Sequence, residues 1–442
     1  MSPSLAPATA IDWLIAHGRR LLESSGDAKS ADWGRSLAPW QSELLRQQIG
    51  FRRRSRSRFP APDLWLWTDV SLAQASDHWS AHYKASLFPI GERVLDACCG
   101  AGSDLVALAK RGEVLGIDAD AALAALAQDN ARAHGLDVRV QAARLTGQFP
   151  SQLSRGCSAR TTWLSIDPDR RPDGQRTTDA QAFSPALDQV LQMAQQCMGG
   201  IIKLAPSTRT DERLRADIDA NCNRMWLGNQ GECRQLLLLT GELRRISPPH
   251  GNLHSLVSPR GSTDSGPAHT AVLCEPPTGG QLTAATTYCY QATLPERVAP
   301  CPPTAEVGAY VFELSPTLHA AELHRPWSTQ HGLSPICEAH GYYTSNTLVC
   351  SPWSQAFECI TVLAWDDRKI RKWLRGFGAG QVEVKVRGVY PLQLHIDANA
   401  CQRRYSRAGG TPVTLLVTRI GDRLRGIAAR RLPSTQRVSQ QL

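Results

Sequence analysis

Small and acidic residues follow an apolar pair in the segment VLDACCGAGSD at residues 94–104. The apolar pair predicts a strand that ends at Asp96, and the pattern from Leu105 to Lys110 predicts a helix, so the intervening residues form a tight turn. Because Gly100 and Gly102 have no side chain, the backbone of this turn can approach a ligand closely. A carboxylate beside such a turn suits a cationic or amine-bearing ligand.

A second acidic residue lies at the end of the next predicted strand. The strand VLGI at residues 114–117 runs into Asp118, which is 22 residues after Asp96 (118 − 96). In doubly wound α/β folds, an acid at this place hydrogen-bonds ribose hydroxyls. The glycine turn and Asp118 together predict a site for an adenosyl ligand.

The spacing of the glycines bears on which adenosyl ligand binds. A pyrophosphate-binding loop needs three glycines, G-x-G-x-x-G, at a helix N-terminus. Here position 98 is Cys and the third glycine is absent, while Asp104 would place a carboxylate beside the pyrophosphate. A dinucleotide is therefore the less favoured alternative. The remaining alternative is an ordinary βαβ unit, since glycine turns alone have low specificity.

The 94–104 segment resembles motif I of class I S-adenosylmethionine-dependent methyltransferases. This resemblance implies a Rossmann-like α/β fold, S-adenosyl-L-methionine as the cofactor and Asp118 as the ribose-binding acid. The cofactor-binding residues that we predict from it are Asp96, Cys98, Gly100, Gly102, Asp104, Asp118 and Ala119.

A further acidic residue follows the fourth predicted strand, residues 161–166, in the sequence Asp167-Pro168-Asp169-Arg170. Ligands of open α/β sheets bind beyond the carboxyl ends of the strands, so Asp167 is expected to face the crevice that holds Asp96. Many nucleic-acid methyltransferases carry Asp/Asn-Pro-Pro-aromatic here, which holds a target amine and stacks on its base. In this chain Asp169 and Arg170 stand where that motif has its second proline and its aromatic residue. Arginine can also stack on a base or pair with a phosphate, so an exocyclic amine is one candidate target among several. An ordinary strand-to-loop turn is the alternative.

Methyl transfer from a sulfonium requires in-line alignment and a partner for the proton of the nucleophile. We predict Asp167 and Pro168 as catalytic residues: the carboxylate orients the nucleophile or accepts its proton, and the proline offers a carbonyl without a competing N–H. Arg170 and Lys203 are predicted substrate contacts, although Lys203 could instead cap the sheet edge. Cys233 is interpreted as a structural cysteine, because no base or proline motif accompanies it.

Length and composition limit the class of protein. A chain of 442 residues predicts two to four domains. No apolar run approaches the ~20 residues of a membrane span, and no N-terminal apolar signal region is present. The 13 cysteines include no C-x-x-C pair, which argues against a metal site or a disulfide framework and favours the reducing cytoplasm.

The positive charge of the chain is concentrated near its C-terminus. Against a net charge of +9 for the whole chain, residues 361–442 hold 16 Lys or Arg and 5 Asp or Glu, a local balance of +11 (16 − 5). A second basic cluster, FRRRSRSRF, occupies residues 51–59. Such clusters are typical of proteins that bind polyanions, and an ordinary solvated surface is the alternative.

The pattern along the chain predicts four regions: an N-terminal helical region at 1–89, a methyltransferase domain at 90–243, a loop-rich connecting or substrate region at 244–358 and a small basic α+β domain at 359–442. Predicted helices of the first region cover 11–22, 33–50 and 72–86. The methyltransferase domain is predicted to hold a parallel sheet, with later strands at 138–140, 200–204 and 236–239.

The last region has its own succession of elements. A strand at 359–364 precedes Asp366-Asp367, which can cap a helix that reaches Arg375. A second helix is expected to begin near Pro391. Further strands are predicted at 382–387, 413–418 and 423–431.

The order of these motifs resembles a family of bacterial class I methyltransferases that carry a C-terminal THUMP-like domain. The resemblance covers nearly the whole chain and includes residues 58–60, 74–76, 116–118, 203–206, 231–234, 384–389 and 415–419. It implies an enzyme that methylates RNA, either tRNA or rRNA, with Lys385 and Arg387 as RNA contacts. The alternative is a non-catalytic RNA-binding protein that keeps a methyltransferase fold.

Overall fold

The computed structural model describes residues 7–25, 36–150, 158–171, 174–229, 231–245, 269–276, 286–293, 296–297, 299, 301–337, 341–389 and 396–433. The chain divides into two compact units. The first comprises Met1–Leu227, Arg234–Leu253 and Cys274–Thr287, and the second comprises Gly228–Cys233, His254–Leu273 and Tyr288–Leu442. Pro391 and most of the loop-rich stretch at 247–303 lie outside the described residues.

The N-terminal part of the first unit is helical, as predicted. Its helices are α1 (Pro7–Trp13), α2 (Arg19–Ser25), α3 (Pro39–Ser55), α4 (Asp69–Gln74) and α5 (His78–Ser86), and a π-helical turn joins α1 to α2. The single helix predicted at 72–86 was wrong, because α4 ends at Gln74 and Asp77 is the N-cap of a new helix. The Thr68 and Asp77 side chains each accept a hydrogen bond of 3.0 Å from the third residue of the helix that follows.

A mixed sheet forms the centre of the first unit. The sheet has nine strands, and the first seven of them lie in the order β3-β2-β1-β4-β5-β7-β6. These seven strands are β1 (Val94–Ala97), β2 (Val114–Asp118), β3 (Arg139–Ala142), β4 (Trp163–Ile166), β5 (Gly199–Leu204), β6 (Cys222–Gly228) and β7 (Cys233–Gly241). The helices between them are α6 (Ser103–Ala109), α7 (Ala121–Ala133), α8 (Leu187–Gln196) and α9 (Glu212–Asn221).

The first five strands are parallel, as predicted, and their carboxyl ends lie at one edge of the sheet. The prediction of a wholly parallel sheet was wrong at its far side, where β7 runs antiparallel to β5. Only residues 229–232 separate β6 from β7. A parallel return needs a crossover of about a dozen residues or more, which this short connection cannot provide.

The second unit contains a seven-stranded sheet in the order β11-β12-β10-β13-β16-β15-β14. Its strands are β10 (Tyr310–Leu314), β11 (Ser334–Pro335), β12 (Tyr343–Ser345), β13 (Ser354–Ala364), β14 (Ala379–Val386), β15 (Thr411–Ile420) and β16 (Arg423–Arg431). Two further strands, β8 (His269–Glu275) and β9 (Thr286–Ala292), lie where the chain passes between the units. The helices of the second unit are α10 (Pro316–Ala320), α11 (His324–Gln330), α12 (Asp367–Phe377) and α13 (Ala398–Tyr405).

The predicted α+β character of the C-terminal region is confirmed in its elements. Asp366 caps α12 through a 2.9 Å hydrogen bond from the Lys369 backbone N–H. The helix expected near Pro391 begins instead at Ala398, because Asp397 caps it through the Ala400 backbone N–H at 2.9 Å. The predicted boundary at 358/359 falls within β13, and the division of the chain into four regions stays a prediction.

None of the helices within the described ranges is long and apolar enough to span a membrane.

Candidate active site

The turn between β1 and α6 has a left-handed backbone at three positions, with φ of 55° at Cys98, 56° at Gly100 and 88° at Gly102. A Cβ atom on Gly102 would lie 3.2 Å from the Ala127 Cβ in α7, so glycine allows α6 and α7 to pack closely. A Cβ atom on Gly100 would meet nothing within 4 Å. The backbone at Gly100 therefore borders open space, as a ligand-binding turn requires.

Asp118 connects this turn to the second strand. Its carboxylate accepts hydrogen bonds from the backbone N–H groups of Gly100, at 2.8 Å, and Asp120, at 3.0 Å. Burial raises the pKa of Asp118, against the effect of these two hydrogen bonds. The structure thus brings together Gly100 and Asp118, two of the predicted cofactor-binding residues, with Ala119 adjacent in the chain.

Asp96 lies at the end of β1 and is only 2% exposed. Its Oδ1 accepts a 2.8 Å hydrogen bond from the Ser165 hydroxyl, whereas its Oδ2 is buried without a partner among the described residues. Burial, aided by the charge of Asp104, raises the pKa of Asp96 to about 8. A buried acceptor of this kind is suited to an N–H or cationic group of a ligand.

Asp104, in the first turn of α6, is bound by two residues of the N-terminal helical region. Lys84 of α5 forms a 2.6 Å ion pair with the Asp104 Oδ2, and the Ser76 hydroxyl hydrogen-bonds the same oxygen at 3.1 Å. Burial opposes ionisation of Asp104, but the charges of Lys84 and Lys203 lower its pKa below the ordinary value. Its Oδ1 is buried without a partner in the part of the chain that the structure describes.

Lys84 is a functional candidate that the sequence analysis missed. It is almost fully buried, and that burial lowers its pKa despite the nearby Asp104 carboxylate. The only hint in the sequence is a lysine among apolar and small residues in AHYKAS at 81–86. Long charged residues are seldom buried unless they are paired, so the partner could be identified only from the fold.

Asp167 follows β4, and its backbone N–H donates to the Ala97 carbonyl at 3.3 Å. This contact places Asp167 beside the end of β1, as predicted. Its Oδ2 forms an ion pair with Lys203 of β5; the two side chains are 34% and 12% exposed, respectively. Burial opposes the charge on Lys203, but Asp167 and Asp104 raise its pKa. The predicted catalytic acid and a predicted substrate contact therefore bind each other.

The loop after Asp167 is held by its backbone. Asp169 and Ser184 exchange two backbone hydrogen bonds of 3.0 and 2.9 Å, and Pro168 is buried. Burial lowers the pKa of Arg170, and its Nη1 is buried without a hydrogen-bond partner among the described residues. Arg170 thus offers an unsatisfied donor close in sequence to Asp167, which is compatible with its predicted role as a substrate contact.

Two predicted RNA contacts, Lys385 and Arg387, bind an acid within the second unit. Lys385 Nζ lies 2.5 Å from one Glu313 carboxylate oxygen, and Arg387 Nε lies 2.7 Å from the other. Burial opposes ionisation of Glu313, but hydrogen bonds and charge from Lys385 and Arg387 lower its pKa. The single Glu313 carboxylate therefore offsets half of the positive charge of these two residues. The sequence alone could not show this pairing, because the partners are 72 to 74 residues apart.

A different surface of the second unit carries exposed positive charge. The helices α12 and α13 both contribute to one hydrophobic core, through Ile370, Leu374 and Tyr405. The Tyr405 hydroxyl also donates a 3.1 Å hydrogen bond to Asp367, which joins the two helices. The exposed cations of α12, of α13 and of the short segment after α13 are here called the basic helical face. They are Arg368, Lys369, Arg371, Lys372, Arg375, Arg403, Arg404 and Arg407.

The basic cluster at 51–59 has mostly internal contacts. Arg52 is buried and donates to the Asp63 carbonyl at 2.7 Å. Arg58 donates to the Leu72 carbonyl at 2.8 Å, and Arg54 forms a 2.7 Å ion pair with Asp69. These arginines join α3 to the segments that follow it, so their contacts favour a structural role over polyanion binding.

Within the described residues, no group of three or more His, Cys, Asp or Glu side chains could hold a metal ion.

Comparison with known proteins agrees with this architecture. Residues 94–158 match the family model described as "Methyltransferase domain", and residues 354–431 match "THUMP domain-like". Two Mycobacterium tuberculosis proteins, from strains CDC 1551 / Oshkosh and ATCC 25618 / H37Rv, are each 25% identical over 387 residues, which cover 87% of this chain and 93% of theirs. Both are described as uncharacterized S-adenosylmethionine-dependent methyltransferases.

A crystal structure of a protein from Porphyromonas gingivalis W83, designated a methyltransferase, shares the fold. Its TM-score is 0.65 at 16% sequence identity, and the match covers 97% of this chain and 98% of that one. The predicted fold class and family are confirmed. The chain is an S-adenosylmethionine-dependent methyltransferase of class I that carries a C-terminal THUMP-like domain.

Proposed function

We propose that this enzyme methylates RNA, either a tRNA or an rRNA, and that the basic helical face binds the phosphates of that RNA. The observation that carries the proposal is the set of eight exposed cations on and beside α12 and α13. The acids of the two helices are the N-caps Asp366 and Asp397 and the partly paired Asp367. Exposed lysine and arginine on one helical surface suit the regular negative charge of a nucleic-acid backbone.

The cofactor in this proposal lies against the turn at Gly100, between Asp96 and Asp118. The residues present fit S-adenosyl-L-methionine, because Gly100 borders open space and Asp96 keeps a buried oxygen without a partner among the described residues. Asp118 is already oriented by two backbone N–H groups and retains acceptor capacity for ribose hydroxyls. When bound, the cofactor supplies an activated methyl group on a cationic sulfur.

Asp167 is the residue that we propose to face the acceptor. Its partial exposure leaves it accessible, and the ion pair with Lys203 holds the carboxylate in position. An ionised carboxylate can orient an amine or hydroxyl and take its proton as the new bond to carbon forms. Lys203 then acts as a positioning residue for Asp167, and Arg170 supplies a donor to the base or phosphate of the substrate.

The test is transfer of labelled methyl groups to total RNA from a strain that lacks the gene, with DNA and protein in parallel. We expect label in RNA, and a loss of roughly 100-fold or more for Asp167→Asn. Asp169→Asn is the matched control, because it makes the same change two residues away at an exposed position. Label confined to protein or DNA, or no label in any pool, would contradict the RNA proposal.

A further inference from the structure

A cavity of about 470 Å³ lies in the first unit, and Asp96, Gly100 and Asp118 are not among the residues that line it. Its aromatic lining comprises Phe59, Trp65, His78, His82 and His134, and Lys110 adds one cation. The volume lies within the roughly 300–1,000 Å³ that is typical of small-molecule sites. No role in the methyl-transfer site described above accounts for this group of side chains.

The rings of this cavity lie close together. The centroids of His78 and His82 are 3.9 Å apart, those of Trp65 and His134 are 4.6 Å apart, and those of Phe59 and Trp65 are 5.2 Å apart. Such a collection of flat side chains favours a flat ligand, because aromatic and imidazole rings gain attraction by stacking on a base. The shape and lining therefore suit a planar heterocycle.

The hydrogen bonds of two histidines define which atoms they can offer to a ligand. His82 Nδ1 lies 2.8 Å from the His78 carbonyl, and His134 Nδ1 lies 2.9 Å from the Asn130 carbonyl. Since a carbonyl oxygen only accepts, each Nδ1 carries the proton, and Nε2 is the acceptor nitrogen of the neutral ring. Burial lowers the pKa of both rings, which maintains this neutral form near pH 7.

Two acceptor nitrogens call for a ligand with N–H donors. The exocyclic amine of cytosine or adenine is such a donor on a flat ring, whereas the corresponding position of uracil is a carbonyl acceptor. Lys110 is exposed and can bind an anionic group attached to the ligand, such as a phosphate. The stacking surface, the acceptors and the cation are thus the three groups that would recognise a nucleotide.

We propose that this cavity binds a nucleotide with an amino-bearing base, through His82 and His134, with its phosphate at Lys110. The nucleotide can come from free solution or from an RNA strand. In the second case the site would hold a residue other than the methylated one, and that part of the inference depends on the proposed RNA substrate.

The test uses calorimetric titration of the full-length protein with CMP and UMP. The base of CMP offers two N–H groups from the amine at position 4, whereas the base of UMP offers only the N–H at position 3. We expect CMP to bind about fivefold more tightly, the effect of one hydrogen bond. His82→Phe combined with His134→Phe retains flat rings but removes the acceptors, so this variant should bind CMP and UMP equally. Lys110→Ala should weaken CMP and leave cytidine unchanged. Circular dichroism should verify that each variant is folded.

Two further titrations distinguish binding in this cavity from binding at the methyltransferase site and identify the source of the ligand. Asp118→Ala should leave CMP binding intact even if the RNA proposal fails, because Asp118 does not line the cavity. Saturable binding of CMP supports a free nucleotide as the ligand. Binding of a cytidine trinucleotide by a protein that does not bind CMP supports an RNA strand as the ligand. Absence of saturable binding of either ligand, preference for UMP or an unchanged CMP preference in the double histidine variant would overturn the proposal.

Discussion

Two groups of charged residues in this protein lie in opposite environments, one largely buried and the other exposed to solvent. The buried charge cluster, which we define as Lys84, Asp104 and Lys203 with the partly exposed Asp167, lies in the first unit and is joined in two ion pairs. The basic helical face of the second unit is exposed to solvent, and only some of its cations have a nearby acid. The first group is balanced in charge, whereas the second has a strong excess of one sign.

This difference indicates how each group acts. A buried charge that loses its partner is strongly unfavourable, at about 3–5 kcal/mol, whereas an exposed ion pair contributes about 0–1 kcal/mol. The buried charge cluster should therefore respond to each single substitution through stability and local geometry. The basic helical face should leave stability nearly unchanged and should act on RNA through the sum of its charges.

The largest effect is expected when one member of the buried charge cluster is removed. Lys84→Met leaves Asp104 buried without its ion-pair partner, so the free energy of unfolding should fall by about 3–5 kcal/mol in urea denaturation. Adding Asp104→Asn should restore much of the loss, because no uncompensated charge remains. Lys110→Met, at an exposed lysine, is the control and should change stability by less than about 0.5 kcal/mol. Equal effects of Lys84→Met and Lys110→Met would remove the contrast between the two environments.

A smaller effect is expected on RNA binding from the basic helical face. Lys369→Ala, Lys372→Ala and Arg403→Ala together should weaken binding of structured RNA about 10- to 100-fold at low salt, because three phosphate contacts are lost. The slope of log affinity against log salt concentration should become shallower by about 2 to 3 units. Lys385→Ala is the matched control, since this lysine is held in an ion pair with Glu313 and lies outside the basic helical face. A greater loss of RNA affinity for Lys385→Ala than for the triple variant would assign RNA binding to another surface.

Asp96 provides a test by pH, because it is buried and has no salt-bridge partner within the described residues. Burial, with the charge of Asp104, raises the pKa of Asp96 from 3.8 to about 8. Between these pH values the folded state holds the proton more tightly, so stability is lost as pH rises towards 8. Asp96→Asn removes this loss and should raise the free energy of unfolding by about 1–3 kcal/mol at pH 9, with no gain at pH 4.

The same substitution should have the opposite effect on the cofactor. Asp96→Asn removes a carboxylate that we place against the cofactor, so affinity for S-adenosylmethionine should fall while stability at high pH rises. Thermal unfolding between pH 4 and pH 9 and calorimetric titration measure the two effects. A stability gain that does not depend on pH would contradict the interpretation that ionisation of Asp96 is its cause.

The smallest effect is expected at an exposed ion pair of the second unit. Arg430 lies 3.0 Å from Glu358, and the two side chains are 58% and 45% exposed, respectively. Glu358→Gln should change the free energy of unfolding by less than about 1 kcal/mol, and the change should disappear in 1 M salt because the charges are screened. If Glu358→Gln lowered the free energy of unfolding as much as Lys84→Met does, exposure to solvent would not explain the different contributions of the two groups to stability.

Some features of the candidate site could be predicted from short stretches of sequence. The turn at 94–104 depends on its own glycines and on the flanking apolar strand, and Asp96 and Asp118 follow directly from strands that end there. The Asp366 cap of α12 is equally local, since donor and acceptor are three residues apart. The prediction of one helix at 72–86 failed because a single capping residue interrupts the helical pattern. Asp77 is the N-cap of a new helix, His78–Ser86.

The amino-acid sequence by itself determined the strand–turn–helix segment, the acids at the carboxyl ends of β1, β2 and β4, and the excess of positive charge near the C-terminus, because each depends on neighbouring residues. Only the tertiary structure decided which charges are paired. Lys84 and Asp104 are 20 residues apart, Asp167 and Lys203 are 36 apart, and Glu313 and Lys385 are 72 apart. The physical reason is that the cost of a charge depends on its burial and its partner, and both are set when distant segments pack together.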